Sequence, residues 1–303
     1  MGTLRGNLIY VLWTILNVLQ DSIFKYNNHI HFSFIFFIRY TLIFIISCIF
    51  NKIRNIPGQI PHREKKSLQF LNFFKSIVTL FAMIFVYEQI KINSLFSVNL
   101  IFFSIPLYDL IIDKIFSKNP PSKLTTFFYK NWVIILNNII IIGFFINKIY
   151  YEGVDKIYYG FLGSLMFSIS NILILKTEKT WRHKPELMSY DISWFSLYMI
   201  ILSIFLIYYY KFNLNYLVNN IHYIWNFYFI TYILLGVLIQ FYLYYLFYKN
   251  DFTPSSILVS IDLIVALIFG FLYGQEKISG LEILIILIIM VTSFLKKYLF
   301  VNK

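Results

Sequence analysis

An aspartate stands in the middle of an apolar run. The stretch from Thr253 to Gly280 reads T-P-S-S-I-L-V-S-I-D-L-I-V-A-L-I-F-G-F-L-Y-G-Q-E-K-I-S-G, with Asp262 near the centre of its apolar part. Thr253 before Pro254 predicts a helix start, with threonine as N-cap and proline at the first helical position. The run continues to about Leu272, long enough at ~1.5 Å per residue to cross a hydrocarbon layer of ~30 Å. A carboxylate at that depth costs roughly 2.5–3.5 kcal/mol on insertion scales, so it should face a partner or a wet cavity rather than lipid. Two roles fit Asp262: a helix–helix hydrogen bond, or a counter-charge to a cationic solute.

Other polar residues fall at comparable depth. Asp21 lies near the end of the first apolar run, and Arg39 sits about seven residues into the second, ~10 Å deep by helical rise. Either the two form a structural ion pair, the arginine bending toward the surface, or Arg39 holds a substrate carboxylate. Asn17 and Asn171 are either interhelical hydrogen-bonding residues or parts of a shared cavity wall. Asn99, Ser104 and Gln240 are further candidates for such a wall. Trp13 and Tyr108 offer faces on which a flat ring could stack, but 21% of the chain is aromatic, so ordinary packing explains them as well. Pro106 inside an apolar run predicts a kink, as a hinge or as a packing bend. Asp109, Asp113 and Asp191 read as lying toward one membrane face, with Asp113 beside Lys114 as an interfacial pair.

No enzyme chemistry emerges. The histidines His29, His31, His62, His183 and His222 lack metal-ligand spacing, and no P-loop, dinucleotide-binding glycine pattern or nucleophile elbow is present. No cofactor or metal is expected. Without a P-loop, any transport would draw on a gradient or on exchange.

The elements that must position these residues follow from hydropathy. Of the 303 residues, 59% are hydrophobic and 13% charged, where a soluble domain has about 25% charged. Ten apolar spans are predicted, roughly 6–24, 32–50, 70–88, 95–113, 131–147, 157–175, 190–209, 226–247, 254–272 and 281–300. The fifth is weakened by Asn137 and Asn138, and the seventh begins polar. The predicted class is therefore an all-α integral membrane protein of ten transmembrane helices, with the first span retained rather than cleaved. The connection from Asn51 to Gln69 is basic and carries Pro57, Gly58 and Pro61, which predicts a mobile loop. Ser279-Gly280-Leu281-Glu282 has the capping-box pattern and should start the last span. The single Cys48 excludes an internal disulfide.

Lysine and arginine placement predicts orientation. With the N-terminus inside, the inner segments hold clusters such as Arg63, Lys65, Lys66 and Lys176, Lys179, Arg182, Lys184; the outer segments hold only scattered lysines such as Lys91 and Lys211. Both termini are then cytoplasmic. The formal charge of +12 is mostly this topology signal, so a nucleic-acid partner is not expected. The partners implied are a lipid bilayer and a small-molecule solute.

The chain also repeats. G-N-L-I-Y-V-L-W-T-I-L-N from Gly6 aligns with G-F-L-G-S-L-M-F-S-I-S-N from Gly160, which sets Asn17 opposite Asn171. S-I-P-L from Ser104 aligns with S-I-D-L from Ser260 at nearly the same offset. Halves of five spans each, residues 1–153 and 154–303, must point in opposite directions. Such inverted five-helix repeats are the plan of secondary transporters, which bind their solute near the midplane between the halves.

These residues resemble the drug/metabolite transporter superfamily in its EamA-like branch, through the glycine-led first span, Arg39 in F-F-I-R, Pro106 in F-S-I-P-L-Y, and G-F-L-Y-G-Q-E-K-I-S-G at the end of span nine. Within it, Q-D-S-I-F-K-Y from Gln20, H-F-S-F-I-F-F-I-R from His31 and S-I-D-L-I-V-A-L-I from Ser260 are similar to the S-adenosylmethionine uptake transporters of intracellular bacteria. The resemblance implies a bacterial inner-membrane protein, an acidic residue at Asp262, and uptake of S-adenosylmethionine, alone or in exchange for S-adenosylhomocysteine. Where the family has an acidic residue after span four, Ser117-Lys118-Asn119 stands here. Export of amino acids or other metabolites is the alternative the same fold would serve.

Overall fold

The computed structural model describes residues 2–26, 30–116, 124–152, 157–181, 187–212, 216, 226–243 and 261–301. Among them every regular element is helical. In chain order these are α1 (Gly2–Tyr26), α2 (Phe32–Ile53), the short α3 (Ile56–Gln59), α4 (His62–Ile92), α5 (Leu95–Phe102), α6 (Ile105–Phe116), α7 (Leu124–Glu152), α8 (Ile157–Trp181), α9 (Leu187–Tyr209), α10 (Phe227–Leu238, continued by a π-helical turn Ile239–Leu243), α11 (Ile261–Gly274) and α12 (Gly280–Val301).

Among the described residues, seven stretches are long and apolar enough to cross a membrane: α1, α2, α4, α5 with α6, α7, α8 and α9. The described parts of α10, α11 and α12 are shorter apolar helices. Their outward faces are greasy, as with Leu42, Ile45, Ile46 and Ile49 on α2 and Ile201, Ile204 and Phe205 on α9. A water-exposed helix would carry charge there; a helix in lipid need not. The protein is a multi-pass helical membrane protein.

Local chemistry accounts for most boundaries. His31 caps α2, its Nδ1 accepting from the Ser33 amide at 3.4 Å. Ser94 caps α5, its Oγ accepting from the Ser97 amide at 3.2 Å. The capping box at the start of α12 forms as predicted: the Ser279 amide donates to Glu282 Oε2 at 3.0 Å and the Glu282 amide to Ser279 Oγ at 3.2 Å. Thr253 and Pro254 lie outside the described residues, so their part in starting α11 is not described.

Two expectations need correction. The basic connection from Asn51 to Gln69 is largely helical: α2 runs to Ile53, α3 occupies Ile56–Gln59, and α4 already starts at His62. His62 to Gln69 is rich in good helix formers, and Pro61 precedes them where no helical N–H is lost. Span four, in turn, is broken rather than kinked. α5 ends at Phe102 and α6 begins at Ile105, with Pro106 in the first turn of α6, where a missing N–H costs little.

The helices pack α2 on α9, α4 on α8 and α9, α1 on α10 and α11, α5 on α8 and α11, α6 on α8, α2 on α10, and α7 on α12. One apolar core joins α2, α4, α9 and α10, around Phe36, Tyr40, Ile90 and Met199; a second joins α5, α7, α11 and α12, around Leu100, Ile141, Leu263 and Ile289. Gly160 lets α8 approach α5, since a Cβ there would come within 2.5 Å of the Ile101 side chain. The asparagines that weakened span five are satisfied: Thr292 on α12 donates to Asn137 Oδ1 at 2.8 Å, and Asn138 Nδ2 bonds back to the Ile134 carbonyl at 2.8 Å.

Candidate functional site

Helices from both parts of the chain surround a cavity of about 600 Å³, within the range of pockets that hold small organic molecules. α1 supplies one wall with a single face. Tyr10, Trp13, Thr14, Asn17 and Asp21 all reach the cavity, at the three- and four-residue spacing that stacks side chains on one side of a helix. α2, α4, α5, α6, α8, α9, the π-helical turn after α10, and α11 supply the rest.

Asp262 of α11 faces α1 and the cavity, not lipid. Its Oδ1 accepts from Thr14 Oγ1 at 2.6 Å, and its two oxygens lie 3.3 and 3.2 Å from the Tyr10 hydroxyl. A carboxylate has about four acceptor directions, so these donors leave capacity toward the cavity. The interhelical bond and the cavity position, alternatives on sequence grounds, coexist.

A related contact lies across the bundle. Ser168 Oγ on α8 donates to Asp109 Oδ1 on α6. The alignment of Gly6 with Gly160 sets Thr14 opposite Ser168, and Asp109 lies one helical turn beyond Pro106, the counterpart of Asp262. Asp109 is thus drawn against α8.

At the end of the cavity nearer the close of α1, Asp21 and Arg39 both reach the wall. Of the two readings the sequence leaves open for them, the structural ion pair does not form. Arg39 is 6% exposed, its guanidinium carbon lies 5.6 Å from the Tyr40 ring centre, and its Nε meets no acceptor. Gly236 of α10 makes room for it, because a Cβ there would come within 2.5 Å of Nε. Tyr87 and Tyr232 bring their hydroxyls together in the same region, and Gln20 Nε2 donates to the Tyr232 carbonyl at 3.2 Å.

The cavity end nearer the start of α1 holds a pair that sequence reasoning missed. Lys75 Nζ of α4 lies 3.0 Å from Asp191 Oδ2 of α9, and Asn72 Nδ2 donates to Asp191 Oδ1 at 2.6 Å. Both charges are 5% exposed, and Lys75 Nζ also lies 4.9 Å from the Phe195 ring centre. Asp191 had been assigned to a membrane face because it starts a span. The polar beginning of α9 is instead buried: Asn51 Nδ2 reaches the Ser193 hydroxyl at 3.2 Å, and Ser189 Oγ reaches Asn51 Oδ1 at 2.5 Å. The visible signal was Lys75 itself, a charge inside an apolar span that required a partner.

The remaining predicted residues divide. Asn17 lines the cavity with its Nδ2 held by the Trp13 carbonyl at 3.0 Å, and Asn99 does so with its Nδ2 on the Leu95 carbonyl at 2.9 Å. Asn171 and Gln240 reach the wall, Gln240 from the π-helical turn. Ser104 and Tyr108 are not among the described lining residues. Ser104 closes the break in span four instead, donating to the Ile101 carbonyl at 2.6 Å. Tyr108 stands two positions from Pro106, about 200° around α6 at the helical repeat, on another side from the cavity. Tyr10, Thr14, Lys75, Tyr87 and Asp191 join the site without having been predicted. Asp113 and Lys114 have no described side chains. Among the described residues no group of three or more His, Cys, Asp or Glu could hold a metal ion.

No protein-family model matches the chain, and no curated protein matches it. Fold and cavity together define a polytopic helical membrane protein with a solute-sized chamber between its helices, its mostly apolar wall set with a few polar and charged side chains.

Proposed function

We propose that the chain is a secondary transporter that moves a small organic solute by alternating access, with S-adenosylmethionine as the leading substrate and uptake as the leading direction. The observation that carries this is Asp262, a carboxylate on the wall of a chamber bounded by helices of both halves. Held by Thr14 and Tyr10, it is set to receive a cation such as a sulfonium or ammonium, with Trp13 and Phe167 as ring faces nearby. Phosphate-driven motors need a nucleotide site, which the sequence lacks, so a gradient or exchange drives the cycle.

The packing supports a pseudo-twofold plan. If α1, α2, α4, α5 with α6, and α7 correspond in order to α8, α9, α10, α11 and α12, the principal contacts exchange among themselves. α1 on α10 becomes α8 on α4; α1 on α11 becomes α8 on α5 and α6; α2 on α10 becomes α9 on α4. α2 on α9, α5 on α11 and α7 on α12 map onto themselves. Thr14–Asp262 and Ser168–Asp109 form a matching pair of bonds under the same exchange. Ten spans in two inverted repeats then rock around the chamber, in an inner membrane with both termini cytoplasmic.

Uptake of labelled S-adenosylmethionine into proteoliposomes, with amino acids as competitors, is the direct test. Saturable flux competed by unlabelled substrate, and lost in Asp262→Asn while the protein still folds, is the expected result. Wild-type flux in that variant would remove Asp262 from the mechanism. Competition by amino acids alone would favour the metabolite-exporter alternative.

A further inference from the structure

The cavity holds two oppositely charged pairs, and they differ in one respect. Lys75 and Asp191 are joined at 3.0 Å, so each neutralises the other. Asp21 and Arg39 are not joined, although both line the opposite end of the same cavity and lie within electrostatic reach of one another. Arg39 is more than nine-tenths buried, and its Nε has no acceptor. A buried guanidinium with an idle donor is costly unless an anion arrives, and the half-buried Asp21 carboxylate likewise calls for a cation.

Resting on the transport function proposed above, we infer that the open Asp21–Arg39 pair is the seat of an α-amino-acid group. The solute carboxylate lies on the Arg39 guanidinium and the solute ammonium turns toward Asp21. A zwitterion of this kind carries both charges within a few bonds. It completes an ion pair that the protein leaves open, and it leaves no net charge behind in the low-dielectric interior. An isolated anion would still leave Asp21 facing it, and an isolated cation would meet Arg39. The pair therefore discriminates by repulsion as well as attraction. The solute's remaining part then extends along α1, past Asn17, toward Asp262.

Gly236 belongs to the same device. Arg39 is seated against α10 at a place where only glycine leaves room for it, which fixes the guanidinium at the cavity wall. Lys75 is unsuited to the role because Asp191 and the Phe195 ring already occupy its ammonium.

The test compares three probes against purified protein and proteoliposomes: S-adenosylmethionine, its decarboxylated form, and 5′-methylthioadenosine, which lacks the amino-acid group. The wild type is expected to prefer S-adenosylmethionine over the decarboxylated form by at least tenfold and to take 5′-methylthioadenosine least. Arg39→Gln should bring the ratio between the first two close to one, and Asp21→Asn, which removes only the ammonium's partner, should lower uptake of the decarboxylated form relative to 5′-methylthioadenosine while Asp262 still favours the sulfonium. Gly236→Ala, which keeps every charge but displaces the guanidinium, should weaken the preference in the same direction. Should Arg39→Gln fail to fold, Arg39→Lys and Gly236→Ala carry the test. A wild type indifferent to the carboxylate, or a folded Arg39 variant that still reads it, overturns the head-group seat while transport stands. Absence of saturable flux for all three probes in the wild type overturns transport and the seat together.

Discussion

Lys75 Nζ and Asp191 Oδ2 meet at 3.0 Å where α4 crosses α9, each side chain almost wholly enclosed. The pair ties a helix of the first half to a helix of the second. Removing one partner strands a buried charge, which typically costs about 3–5 kcal/mol, whereas replacing both by neutral groups of similar shape is often benign. Lys75→Met and Asp191→Asn should each destabilise the protein strongly, and the double variant should recover most of the loss. Thermal unfolding in detergent, arranged as a double-mutant cycle, measures this. Additive losses would show that the two do not act as a pair.

Thr14 and Ser168 hold carboxylates of opposite halves. A hydrogen bond to a charged group contributes about 1.5–3 kcal/mol. Thr14→Val and Ser168→Ala should each lower stability by an amount of that order. Only Thr14→Val is expected to raise the KM for uptake as well, because Asp262 faces the solute in the proposed mechanism. Equal kinetic effects from both changes would contradict a special role for Asp262.

His31 caps α2 through Nδ1, and its ring packs against Phe32, Tyr210 and Phe212. Burial among these rings, reinforced by nearby Lys91, lowers its pKa from 6.5 to about 4, although Glu88 acts in the other direction. Between these values the unfolded chain binds a proton that the folded chain refuses. The stability that neutral His31 contributes is thus complete above about pH 6.5 and is lost as pH falls toward about 4. His31→Asn, which can still cap the helix, should flatten that part of the stability–pH curve relative to wild type. Parallel curves for the two proteins would exclude His31 as the source.

Glu276 gathers several ends of the bundle. It pairs with Lys25 at the close of α1 and accepts from the Leu95 amide at the start of α5 at 3.3 and 3.2 Å. Lys25 Nζ also reaches the Asn93 carbonyl at 2.5 Å. This cluster fastens the cavity's Arg39 end. In a Cys48→Ser background, Glu276→Gln should speed labelling of a cysteine placed at Asn17 by a reagent added on that face. Unchanged labelling would mean that the cluster does not limit access.

Some of this was legible in the residues. Hydropathy marked all the spans that the described helices occupy, and the Ser279–Glu282 box marked the start of α12. Asp262, Asn17, Asn171, Asn99 and Gln240 stood out because a polar group in an apolar run needs a partner, and all of them reach the cavity. Trp13, Asp21 and Arg39 reach it too. The face of α1 was readable in part: Trp13, Asn17 and Asp21 were picked from it, while Tyr10 and Thr14 were passed over as ordinary residues of a helix.

What escaped was pairing. Arg39 and Asp21 could join or serve a solute by the sequence alone; in the structure Arg39 settles against Gly236 and the Tyr40 ring. Asp191 reads from the sequence only as lying toward one membrane face; α4 carries Lys75 and Asn72 to it. Ser104 was offered to the solute, but the break before Pro106 uses it to cap a carbonyl.

The sequence by itself determined that this chain forms apolar helices, where charge is rare within them, and so that it lives in a membrane. These are local properties: each residue's transfer free energy and each helix's internal hydrogen bonds depend on neighbours a turn away. Only the tertiary structure decided which charges were quenched and which were left open to the cavity. That outcome depends on where helices more than a hundred residues apart cross, and a displacement of one turn at such a crossing exchanges one partner for another.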